Sequence, residues 1–153
     1  MKEDLKIKES LYKACLKFIE TKFQVIQNTI DEIQEALVSD TKSSAGDKHE
    51  TGRAMLQIER EKAGNQLAEI QKSKNILDKI DITKISETVR LGSVVYTSKS
   101  NYFIAISVGE FIIEGIPFYA ISPSTPIGQL LISKCVGNTI NFRNQIVKIE
   151  KVI

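Results

Sequence analysis

The apolar positions near the start of the chain fall on one repeating stripe. Tyr12, Leu16, Ile19, Phe23, Ile26, Ile30, Ile33 and Leu37 are spaced alternately four and three residues apart. This heptad pattern marks a helix that buries one seam against another helix. Lys, Glu, Gln and Asn dominate the intervening positions, and no Pro or Gly interrupts residues 1–45. A helix over roughly residues 5–38 would be about 50 Å long and could not bury such a stripe alone. Leu56, Ala63, Leu67, Ile70 and Leu77 supply a second seam in a seven-residue frame. Arg60 and Lys74 hold the remaining seam positions, and Ile58 and Ile76 lie beside them. Helices joined by a short connection pack antiparallel by default, so residues 1–80 are predicted to form a helical hairpin. Pairing between two chains is the alternative, because a seam does not name its partner.

Small and polar residues separate the two seams. In Asp40-Thr41-Lys42-Ser43-Ser44-Ala45-Gly46-Asp47-Lys48-His49-Glu50, the serines and Gly46 favour a turn. Asp47 and Glu50 then have capping-box spacing. The Asp side chain accepts from the N3 amide, and the Glu can reach back to the cap. The prediction is a hairpin with an acidic tip over residues 40–50.

From Asp81 to Arg90 the helical period fades, and this stretch reads as a linker. Beyond Gly92, residues 93–97, 102–106, 111–113, 118–121, 139–142 and 145–149 read as strands. Turns are expected near Ser98–Asn101, Gly109, Gly115-Ile116-Pro117 and Arg143-Asn144. Thr125 suits a helix N-cap and Pro126 the first helical position. Residues 91–153 should therefore form a small, mainly antiparallel sheet with one short helix, and the whole chain an α+β protein.

Charge divides the same way. Of 153 residues, positions 1–80 carry 14 Lys/Arg and 14 Asp/Glu, whereas positions 81–153 carry 7 and 5. The net charge of +2 leaves no field of one sign, and there is no long basic tract to follow a nucleic-acid backbone. Cys15 and Cys135 lie in segments of different structure and read as packing residues of a reducing compartment. The charged N-terminus lacks a signal-peptide core, and no apolar run approaches the ~20 residues of a membrane span. A cytoplasmic location is expected. His49 has no ligand cluster around it, Ser43 and Ser44 have no His/Asp relay, and Asp40 reads as a solvated helix-end residue.

Two separated stretches resemble one family. Gly46-Asp47-Lys48-His49-Glu50, at the bend of an N-terminal hairpin, is similar to the acidic tip of the GreA/GreB transcript cleavage factors of bacterial RNA polymerase. Ser124-Thr125-Pro126-Ile127-Gly128-Gln129-Leu130-Leu131, with Lys134 and Gly137-Asn138, resembles the family's C-terminal Ser-Pro-Ile-Gly…Leu…Gly-Lys…Gly-Asp stretch. The resemblance implies a C-terminal domain similar in fold to FK506-binding prolyl isomerases. That domain would dock on the polymerase, with Ser124, Pro126, Ile127 and Gly128 at the docking motif. The hairpin would enter the secondary channel and bring Asp47 and Glu50 to the nascent RNA 3′ end of a backtracked complex. There they would help hold a Mg²⁺ ion shared with the polymerase, which itself cuts the RNA. The chain would then be no enzyme alone, bind no cofactor by itself, and have neither a membrane nor a small-molecule substrate as partner. An alternative is a channel regulator that inhibits or retunes the polymerase without cleavage. The tip departs from the family at Thr51-Gly52-Arg53-Ala54, where Asn-Ala-Glu-Tyr is usual. Arg53 can pair with Glu50 on one helix face, or with Lys48 touch an RNA phosphate.

Overall fold

The computed structural model describes residues 2–41 and 47–153, and the side chains of residues 40, 41 and 47–49 lie outside the described set. Helix α1 (Lys2–Thr41) and helix α2 (Asp47–Asp78) form the hairpin that the heptads predict. Their contacts run antiparallel within one chain. Arg53, early in α2, bonds the carbonyl of Leu37, late in α1, while Tyr12 bonds the carbonyl of Leu77. The chain divides into two compact units, Ile19–Lys74 and Met1–Phe18 together with Asn75–Ile153.

In the unit Ile19–Lys74 the predicted seam is the core. Ile30, Ile33 and Leu37 bury against Ala63, with Ile26, Leu56 and Leu67 packed alongside. The two cationic seam positions are half-buried. Their aliphatic stems cover apolar neighbours while the charges leave the seam. Lys74 holds its ammonium 4.3 Å from the centre of the Phe23 ring, a cation–π contact. The Arg60 guanidinium lies beside Gly64, where an added Cβ would stand 3.2 Å from its Nη1.

In the other unit the buried line of α1 is shifted. Lys8, Leu11 and Cys15 are buried, whereas Tyr12 and Leu16, which the heptad reading places at the seam, are half-buried. The cause is a second neighbour. Besides α2, this part of α1 meets the segment after α2 and the last strand: Lys8 donates to the Lys84 carbonyl at 2.8 Å and Asp4 pairs with Lys151 at 2.9 Å. Residues 81–90 are correspondingly tied down. Val89 is buried, its N–H donates to the Lys134 carbonyl, and its own carbonyl accepts from Ser133. The division between the units falls inside the helices, whereas sequence texture suggests residues 81–90.

The sheet contains β1 (Val94–Thr97), β2 (Asn101–Ile104), β3 (Gly109–Ile113), β4 (Ile116–Ile121), β5 (Thr139–Phe142) and β6 (Gln145–Val152), in the order β3-β4-β2-β1-β6-β5. It is mixed, because β2 and β4 pair in parallel. Strand β3 takes the edge and turns back through a hairpin, so that β4 enters beside β2 in the same direction. The hairpin turn is Glu114-Gly115, both at positive φ, and Ile116-Pro117 already belong to β4. Pro117 sits opposite Ile112 in β3, before the pairing with β2 begins, so its missing N–H costs the parallel ladder nothing. Arg143 and Asn144, at φ 53 and 64, make the predicted two-residue turn. Helix α3 (Pro126–Leu131) packs Ile127 and Leu131 among Val95, Ile104, Ile140, Val147 and Ile149. By strand alternation Val94, Phe103, Phe118 and Ala120 occupy the opposite face and are also buried. Tyr96 joins that face, edge-on to Phe118 at 5.7 Å.

Candidate functional site

Helix α2 begins at Asp47, so Glu50 stands in its first turn, three residues on. Backbone N–H groups unpaired at a helix start favour nearby negative charge, which suits carboxylates there. Glu50 is exposed. The side chains of Asp47, Lys48 and His49 lie outside the described residues, as do Lys42, Ser43, Ser44 and Gly46 altogether.

Arg53 stands one turn beyond Glu50 and is half-buried. Its Nη1 donates to the Leu37 carbonyl at 3.1 Å, across the helix pair. Leu37 lies in the penultimate turn of α1. The bond joins the two helices near the tip. Of the two roles open to Arg53 on sequence grounds, pairing with Glu50 is not the one seen. Among the described residues those two side chains form no ion pair. Nor do any three His, Cys, Asp or Glu side chains among them converge as a metal site.

The second candidate stretch builds α3. Thr125 is the N-cap: its hydroxyl accepts from the Gly128 N–H at 3.1 Å and donates to the Ser122 carbonyl at 2.7 Å. Pro126 opens the helix, as the sequence predicts. Gly128 is buried in a place that only glycine fits, since an added Cβ would lie 2.4 Å from the Ser122 carbonyl oxygen. Ile127 is 8% exposed and belongs to the core. These two residues thus serve the fold, and the surface of the motif comes from Ser124 and Pro126. Ser124 shares a 2.8 Å hydrogen bond with the Ser122 hydroxyl, and its carbonyl accepts from Gln129 Nε2. Leu130, exposed on the same short helix, is a surface residue that the motif did not single out. Its signal was present: it falls between the core positions Ile127 and Leu131 in a helix.

The cysteines have separate environments. Cys15 is fully buried, and burial pushes its thiol up to about 12. Cys135 is exposed beside the Thr88 hydroxyl. Among the described residues no helix is long and apolar enough to cross a membrane.

The described residues define an α+β protein with a long N-terminal helical hairpin, followed by a six-stranded mixed sheet carrying one short helix. Among solved structures the chain is similar to the transcription factor Gfh1, at 15% identity over 92% of each chain with a TM-score of 0.33. No family model matches this chain, and no curated protein matches it.

Proposed function

We propose that this chain acts on bacterial RNA polymerase. It would dock through the sheet region and reach the secondary channel with its hairpin tip, stimulating Mg²⁺-dependent cleavage of backtracked RNA by the polymerase. One observation carries the reading: Glu50 is exposed in the first turn of the helix that Asp47 opens, at the connected end of an antiparallel helix pair. Its support in sequence is the joint resemblance of this tip and of the Ser124–Leu131 stretch to the cleavage factors. Asp47 and Glu50 are three positions apart at the start of α2, and their carboxylates would address one ion from the protein side. Mg²⁺ prefers oxygen ligands and keeps several waters, so one or two carboxylates suffice when a second molecule completes the shell. Bound there, the ion would activate water or steady the leaving oxygen. Arg53, by holding Leu37, would keep the tip rigid and leave Glu50 to its ligand. Lys48 would stand within the same turn to meet an RNA phosphate.

The test is a halted, backtracked polymerase with 3′-displaced, labelled RNA. Adding the chain with Mg²⁺ should shorten the RNA and leave it extendable. Glu50→Gln and Asp47→Asn should keep the melting curve and polymerase affinity while slowing cleavage by about tenfold or more, as loss of ~1.4 kcal/mol of transition-state stabilisation predicts. Binding without shortening would replace this reading with that of a non-cleaving channel regulator. Absence of binding would discard both.

A further inference from the structure

Beside the start of α1, a cavity of about 240 Å³ is lined by Lys8, Lys79, Asp81, Lys84, Arg90 and Leu91. All six residues belong to the same compact unit. They come from three separate stretches: α1, the segment that follows α2, and the approach to β1. Four of the six are cationic and one is a carboxylate, an excess of positive charge gathered in one concavity of a chain whose net charge is only +2. Concave walls of low polarisability focus such a field.

One carboxylate compensates only part of this charge. Lys8 is 2% exposed, and its ammonium makes one hydrogen bond, to the Lys84 carbonyl. An ammonium has three donors. None of the ion pairs among the described residues uses Lys79, Lys84 or Arg90. Asp81, the single counter-charge, acts on Lys8 and Lys84 and accepts from both the backbone N–H and the hydroxyl of Thr83, which leaves three cations in excess. Burial holds the Lys8 amine below its ordinary range, and the charge of Arg90 lowers it further. The C-terminal end of α2 is close in sequence, and its partial negative charge suits Lys79. That accounts for one lysine on the rim and not for a buried Lys8 facing Arg90.

We propose that this cavity binds a phosphate-bearing small molecule, accepting one phosphate or pyrophosphate group between Lys8, Lys84 and Arg90. The volume decides the size of the group. Sites for whole drug-sized ligands occupy about 300–1,000 Å³, so this one suits the anionic group while any organic remainder stays outside. Arg90 supplies a planar fork for two phosphate oxygens, and the lysines supply point charges. A nucleic-acid backbone is the poorer occupant, because it needs cations strung along a track, whereas these surround a single hollow. The inference does not depend on the polymerase reading.

Calorimetric titration of the full chain with inorganic pyrophosphate, in phosphate-free buffer of constant ionic strength, tests it. Saturable binding at one site per chain is expected. Arg90→Gln and Lys84→Gln, both exposed side chains, should each weaken it about tenfold with the melting temperature unchanged. Lys99→Gln, an exposed lysine outside the cavity, should not. Parallel titrations with inorganic phosphate and ADP assign the source: tighter ADP binding indicates a nucleotide, tighter pyrophosphate an inorganic anion. The proposal is overturned by heats no larger than those of chloride, by equal weakening in Lys99→Gln, or by a short single-stranded RNA that binds more tightly and resists displacement by pyrophosphate.

Discussion

Lys8 and Cys15 lie about two turns apart on one helix face and are both buried, yet burial acts on them in opposite senses. Each group is pushed toward its neutral form, so the amine falls and the thiol rises. The thiol yields a direct test. Because the reactive species is the thiolate, a disulfide reagent should titrate Cys135 alone in the folded chain and both cysteines in denaturant. Two fast thiols under native conditions would contradict the burial of Cys15. For Lys8 the sign follows from linkage. With the folded-state value below 10.5, the unfolded chain binds more protons, so stability rises with pH across that interval. In phosphate-free buffer the stability of the wild type relative to Lys8→Met should climb as pH rises toward 10.5. Subtracting the variant removes the opposing contributions of the tyrosines, whose hydroxyls at positions 12 and 96 are raised mainly by burial. A flat difference would show that Lys8 is charged and solvated.

At the scale of the element, the hairpin is held by a thin seam, since only one stripe of each helix can be covered by the other. Ile30, at 6% exposure, and Ile58, at 65%, share a side chain and differ in position. Ile30→Asp would place an unpaired carboxylate in the seam and should cost about 3 kcal/mol or more, whereas Ile58→Asp should stay within roughly 0.5 kcal/mol. Urea denaturation of both variants checks the packing; equal losses would mean that the seam is misplaced. Helix α3 holds by other means. A hydroxyl cap, a proline at the first turn and a glycine pressed against a carbonyl confine six residues that would not be helical in isolation.

At the scale of the molecule, the opening turns of α1 belong with the sheet rather than with the rest of the hairpin. Leu11 and Cys15 are buried in that unit, and the Lys84 carbonyl and Lys151 take their partners from it. Deleting residues 2–18 should therefore destabilise the β region itself and lower its melting temperature by roughly 10 °C, as a loss of a few kcal/mol implies. Near-ultraviolet circular dichroism, which reports Tyr96 and Tyr102 in the sheet, measures it. An unchanged transition would show that residues 94–153 fold without α1.

Periodicity and local chemistry alone determined both helices, the six strands, the Thr125 cap and the turn at Arg143-Asn144. These depend on neighbours within a few positions, and alternation of polar and apolar residues records which side of an element meets water. The start of α2 at Asp47, with Glu50 in its first turn, was legible for the same reason. Other features only the tertiary structure decided. Lys8 is buried because it meets Lys84, 76 positions away, and Asp4 is paired with Lys151 across 147. Arg53 turned to the Leu37 carbonyl, 16 positions away on the other helix, rather than to Glu50 on its own. The parallel pairing of β2 with β4 and the cationic cavity around Lys8 belong to this group too. Each joins stretches whose local patterns say nothing of one another, and chain topology, not periodicity, brings them together.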